Sequence, residues 1–188
     1  MLAFIKKIQT IVALPPDLIE FLFSRLKVTR IARRQLLLRE GQVCDYIYFV
    51  KSGLLRSYAN GGETEVTNWF MKESDIFTAP LSFYHRVPSF ENLQAIEESE
   101  LVCLHYQDIQ TIYKDFPFFN LAGRLVTEQY IAALSRYNYI SRIKPSELRY
   151  QYFTADFPEL LGRVPDKDVA SFLGMTDAHF SRVKSRRS

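Results

Sequence analysis

Three features of the sequence predict an α+β protein made of a small β-barrel of the jelly-roll, double-stranded β-helix kind, a long helix, and a C-terminal helix-turn-helix. From Val28 to Leu104 short apolar runs alternate with turn residues, which is how a small all-β barrel or sandwich reads. Phe118 to Ile143 holds no proline and follows directly on Pro117, the pattern of one long helix opened by a proline. The last stretch carries the spacing of two short helices packed across each other around a glycine.

The first 25 residues or so read as helical, with Pro15 and Pro16 opening a turn before Leu18, Ile19, Leu22 and Phe23. Three strands then stand out. Tyr46 to Val50 alternates in side-chain character, Leu54, Arg56 and Tyr58 follow Gly53, and Val66 to Met71 form the third. Asn60-Gly61-Gly62 between the last two is a hairpin signal, because Asn and Gly tolerate the positive φ of tight turns. Leu93 to Ile96 and Leu101 to Leu104, with a polar turn between them, close the β region, and residues 106 to 115 make a short helix. Residues 1–117 are therefore expected to form an N-terminal barrel domain, 118–144 a dimerisation helix, and 145–188 a C-terminal domain whose first helix runs from Ser146, as N-cap, to Phe157.

The long helix has two apolar faces. Ala122, Val126, Gln129, Ala133, Tyr137 and Ile140 recur at steps of three and four, away from Leu121, Leu125 and Ile131. Two faces call for two partners: one can cover the barrel while the other meets a second copy, as in a parallel coiled coil. The six-residue stripe is the expected dimer seam, and a helix wrapped only by its own domain is the alternative.

Composition limits what else the chain can be. With 188 residues, 47% hydrophobic content, 15 Phe and 11 Tyr, it has enough apolar mass for one ordinary domain and a smaller one. Lys6, Lys7, Pro15 and Pro16 break up the greasiest segment, so neither a membrane span nor a signal peptide is expected and the protein reads as cytoplasmic. Cys44 and Cys103 lie in no metal-binding spacing and are expected as free, buried thiols. His85, His105 and His179 are scattered, and no nucleophile elbow, phosphate loop or dinucleotide fingerprint occurs, so no enzymatic activity, metal or cofactor is expected. The net charge of +3 is local. Residues 161 to 188 hold six basic against three acidic side chains, while the rest of the chain balances, so a polyanion would be met at the C-terminal end.

That end also carries the motif. Lys167 to Leu173 reads as the first helix, Gly174 as the turn and Asp177 to Ser185 as the second helix. Val169, Leu173, Met175, Phe180 and Val183 take the packing positions, and Ala170 is the small residue at closest approach. Thr176 is placed to cap the second helix. Ala178, His179, Ser181, Arg182 and Lys184 are left facing outward. Arg182 suits base reading, because its planar fork fits the two acceptors of guanine in the major groove. Ser181, Lys184, Arg186 and Arg187 suit phosphates. A plain structural hairpin of two helices would share much of this pattern.

Taken in this order the chain resembles the Crp/Fnr regulators, the cyclic-AMP receptor protein family. The resemblance is carried by Leu38-Arg39-Glu40-Gly41-Gln42, by Tyr46-Ile47-Tyr48-Phe49-Val50-Lys51-Ser52-Gly53 and by Val169-Ala170-Ser171-Phe172-Leu173-Gly174-Met175-Thr176. It implies a cyclic-nucleotide-binding-type barrel and a bacterial, dimeric transcription regulator. Its implied partners are palindromic double-stranded DNA, a second copy of the chain, a small-molecule effector of unknown identity, and RNA polymerase. The alternative is an effector-binding or protein-interaction module of the same barrel fold whose C-terminal hairpin does not bind DNA. Two departures qualify the resemblance. Nucleotide-binding members offer a Glu for the ribose and an Arg for the cyclic phosphate, whereas here the stretch reads Thr78-Ala79-Pro80-Leu81-Ser82-Phe83 and the Arg position falls near Ser89 or Phe90. Cyclic AMP is therefore not expected to act, with Arg86 as the residue of a shifted cassette if it does. An effector pocket, if open, would be lined by Phe70, Phe77, Leu81, Phe83, Tyr84, Arg86 and Phe90; these side chains can equally fill it themselves. Members also continue into a β-hairpin wing where this sequence reaches Ser188, and the basic tail is expected to stand in for it.

Overall fold

A computed structural model describes residues 1–62 and 64–186. Two N-terminal helices, α1 (Leu2–Gln9) and α2 (Pro16–Arg25), lead into the barrel. Its strands are β1 (Lys27–Ile31), β2 (Leu36–Leu38), β3 (Tyr46–Ser52), β4 (Leu55–Asn60), β5 (Glu65–Met71) and β6 (Ile76–Phe77), then helix α3 (Pro80–His85), β7 (Asn92–Ala95) and β8 (Ser99–His105). Every strand pair is antiparallel. The strands make two four-stranded sheets, ordered β1-β8-β3-β6 and β2-β7-β4-β5, so that all neighbours except the β4–β5 hairpin come from distant parts of the chain, as in a jelly roll. The Asn60-Gly61-Gly62 hairpin forms as expected, pairing Asn60 with Glu65 and placing Gly62 at φ +88°. At the β3–β4 turn Gly53 has φ +97°, and a Cβ there would lie 2.6 Å from the Glu98 carbonyl, so only glycine fits.

Apolar residues from both sheets fill the barrel interior, among them Val50, Leu55, Leu93 and Leu101, with Phe83 of α3 fully buried in the same cluster. Cys44 and Cys103 are free and buried. Outside the other sheet, α1 and α2 pack with α4 (Tyr106–Asp115) through Phe4, Leu18, Leu22 and Ile112. A turn at Pro117–Phe119 precedes α5 (Asn120–Ile140). The C-terminal part comprises α6 (Ser146–Asp156), α7 (Asp166–Phe172) and α8 (Asp177–Ser185). Ser146 is the first residue of α6 and makes no capping bond; Pro145 takes the cap position, because its fixed φ suits a helix start.

Helices α6 to α8 do not own a separate core. Phe153, Leu160, Val169, Phe172 and Phe180 form one cluster with Leu54, Phe70 and Ile96 of the barrel. A long buried polar contact accompanies it. The Arg56 guanidinium, on β4, pairs with Asp168 of α7 at 2.7 Å, and both side chains are almost fully buried. Arg56 also meets Glu65 at 2.5 Å, donates to Gln94 at 2.8 Å and lies over the Tyr58 ring. Ser171 of α7 accepts from the Thr67 amide and donates to the Glu65 carbonyl, both at 2.9 Å. Arg163 bridges Glu73 and Glu97, each at 2.8 Å, tying the segment before α7 to two barrel turns.

Candidate functional site

Two places in this fold carry chemistry: the outer face of α8 and a cavity under α5. The helix pair α7–α8 is built as the sequence predicts. Ala170 is fully buried, and Gly174 takes φ +62°, the left-handed value that lets the chain reverse in one residue. The Met175 amide closes the turn on the Ala170 carbonyl at 2.9 Å. Thr176 caps α8 by accepting from the His179 amide at 3.3 Å. Arg149 of α6, which sequence reasoning missed, donates to the Leu173 carbonyl at 2.6 Å and so props the turn from below. A helical Arg eighteen residues before the start of the motif offered no signal for that role.

Phe180 and Val183 point α8 into the core, so Ala178, Ser181 and Arg182 face outward together, joined by Ser185. Arg182 donates only to the Ala178 carbonyl of its own helix, at 3.3 Å, and has no acidic partner among the described residues. The other expected contacts are more occupied. His179 is half-buried and bonded to the Ser146 hydroxyl at 2.6 Å. Lys184 pairs with both oxygens of Asp166 at 2.8 and 2.9 Å, and Arg186 lies 3.5 Å from Glu147. Arg187 lies outside the described residues.

On helix α5 the residues of the expected seam divide between different surroundings. Ala122 is buried among α1, α2 and α4, and Val126, Gln129 and Ala133 line the cavity. Tyr137 stacks on Phe172 at 4.3 Å and donates its hydroxyl proton to the Phe172 carbonyl, while Ile140 is buried. In the single chain Ala122, Tyr137 and Ile140 are thus held by the chain's own surfaces, while Val126 and Ala133 are half-buried and Gln129 is exposed. Leu121, Ile131 and Tyr139 stand exposed on the other side, with Leu125 half-buried beside them.

The cavity, of about 630 Å³, lies between α5 and the barrel strands. Of the residues expected to line a pocket, Phe70, Phe77, Leu81 and Phe90 do meet there. Phe83, Tyr84 and Arg86 do not. Phe83 belongs to the barrel core, and Tyr84 is half-exposed. Arg86 is engaged by Asp45, by the Cys44 carbonyl at 2.7 Å and by the Tyr106 ring. The cavity's buried polar end is instead acidic. Glu91, 6% exposed, accepts from Asn68 at 3.3 Å and from Ser57. Burial pushes its carboxyl above the ordinary range, and burial together with Glu91 pushes the nearby Tyr130 phenol up. Trp69 lines the cavity while its ring meets Tyr130 and Tyr137 of α5, Phe157 and Phe172 edge-on.

Comparison with known proteins places this arrangement. A family model described as cyclic nucleotide-binding domain matches residues 28–116. No curated protein matches the chain. Among solved structures it is similar to FixK2 from Bradyrhizobium japonicum, with a TM-score of 0.73 at 16% identity over 86% of this chain and 83% of that one. It is similar to the c-di-GMP responsive global regulator CLP of Xanthomonas campestris, at 0.71 and 17% over 89% of each chain. A protein from Eubacterium rectale described as a transcriptional regulator of the Crp/Fnr family aligns at 0.75 and 15%, over 92% of this chain and 83% of that one. The class is thereby defined: a cyclic nucleotide-binding domain followed by C-terminal helices. The fold of the chain is that of the Crp/Fnr regulators. Among the described residues no helix is long and apolar enough to cross a membrane.

Proposed function

We propose that the chain is a DNA-binding transcription regulator of the Crp/Fnr type, acting as a cytoplasmic homodimer on an imperfect palindrome, rather than an enzyme. The observation that carries the reading is Arg182, exposed and without an acidic partner among the described residues, at the centre of the outer face of a capped second helix. A helix so presented fits a major groove, and a guanidinium at that place can meet one guanine bidentately. Lys184 and Arg186 reach phosphates by exchanging their own acidic partners, Asp166 and Glu147, for DNA. RNA polymerase is the further partner such a regulator would meet. The dimer seam is the outward face of α5, with Leu121, Leu125 and Tyr139 at steps of four and fourteen along one side and Ile131 beside them. Cyclic AMP is not the signal: Arg86 is engaged elsewhere and the buried charge in the cavity is Glu91, which repels a phosphate.

Selection of bound sites from random duplex DNA tests the reading. The expected product is a palindrome with half-sites about 34 Å apart, one turn of DNA. Arg182→Ala should weaken binding by about 1–3 kcal/mol per half-site and relax the preference at one base pair. Recovery of no palindrome, or an Arg182→Ala variant that binds and discriminates as the parent does, would leave a helical hairpin without a DNA role. Leu125→Glu should turn a sedimenting dimer into monomers, and an unchanged dimer would move the seam elsewhere.

A further inference from the structure

The cavity under α5 has a lining that is mostly apolar and aromatic, and one buried charge in it lacks a counter-ion. Glu91 is more than nine-tenths buried and makes hydrogen bonds to Asn68 and Ser57 but no ion pair among the described residues. A carboxylate taken out of water with only neutral donors is costly, and an arriving cation removes that cost. Trp69, Tyr130 and Phe90 line the same cavity and supply aromatic surface, the companion an ammonium group prefers. Leu81 and Phe90 are half-exposed, as rim residues waiting for cover are. Of the cavity's two basic residues, Lys72 is paired with Asp75 and Glu159 and Lys7 acts on Asp75, and neither forms an ion pair with Glu91.

We infer that this cavity binds a small organic cation, an amine or amidine on an apolar body, with the charged group against Glu91 and the body between Trp69, Phe90 and Val126. The volume of about 630 Å³ suits a molecule of this kind. Glu91 selects the charge, the rings favour a cation over a neutral isostere, and the same carboxylate rejects cyclic nucleotides. The inference adds a ligand class to the regulator proposed above and rests on that reading for its biological meaning. Binding itself is measured on the free protein without DNA, so either reading can fail alone.

The test is calorimetric titration of the full chain with three probes of one skeleton: 4-phenylbutylamine, 4-phenylbutan-1-ol and 4-phenylbutanoate. The amine should bind about tenfold or more tighter than the alcohol and the carboxylate, the ratio that charge-assisted hydrogen bonds produce. Glu91→Gln should bring amine and alcohol to near-equal affinity. Ala133→Phe, which fills the space from α5 without touching Glu91, should abolish binding of all three. The inference is overturned if the carboxylate binds as well as the amine, or if no probe binds at millimolar concentration. It is also overturned if the amine preference survives Glu91→Gln, or if Ala133→Phe leaves binding unchanged.

Discussion

Arg56, on β4, and Glu91, just before β7, are both buried, yet their surroundings differ. Arg56 is saturated: two carboxylates, an amide oxygen, a hydroxyl and a ring all face it. Glu91 has two neutral donors and an open cavity. A saturated buried charge is an internal clamp, here between barrel and α7. An unsaturated one beside empty space is a receptor. Burial alone therefore does not distinguish structure from binding; the census of partners does.

The comparison predicts unequal costs. Asp168→Ala should destabilise the protein by about 3 kcal/mol in urea unfolding, because it strands a guanidinium away from water. A loss under about 1 kcal/mol would mean that Glu65 alone satisfies Arg56 and that the clamp is not a pair. Glu91→Gln should change stability by less than about 1 kcal/mol, since both neutral partners keep a hydrogen bond. A smaller effect belongs to Arg163, whose partners are partly exposed. Its guanidinium holds the Glu73 carboxyl below the usual carboxylate range. A depressed carboxyl contributes stability above its unfolded value, near 4.5, and that contribution is lost as pH falls through the folded value. Urea midpoints between pH 6 and 3 should thus drop more steeply for the parent than for Glu73→Gln, and parallel curves would remove Glu73 from the account.

What could be read from the sequence was what local rules govern. The Asn60-Gly61-Gly62 hairpin, the Gly174 reversal and the Thr176 cap need only the few residues around them, and each appears where expected. The faces of α5 were visible as two stripes, but what each meets depends on surfaces far away in sequence, as the stacking of Tyr137 on Phe172 illustrates. Arg56 sits in an alternating strand, where a charged residue reads as solvent-facing; its burial follows from α7 arriving 112 residues later. Glu91 was missed for a related reason. A single acid near a strand start carries no spacing signal, and only its surroundings in the fold separate it from a surface residue. Four of the expected pocket residues came together because Phe70, Phe77 and Phe90 flank α3 in the chain and Leu81 lies on it.

Trp69 is the chain's one tryptophan, and it sits where the cavity, α5 and the C-terminal helices meet. Its indole is consequently a built-in optical gauge. Light absorbed at the red edge of the protein spectrum excites this single ring, and the colour of its emission reports whether Phe157 and Phe172 still shield it from water. Parting of the barrel from α7, by DNA, by a ligand or by acid, would register as a red shift from an unlabelled protein, in real time and at one defined point.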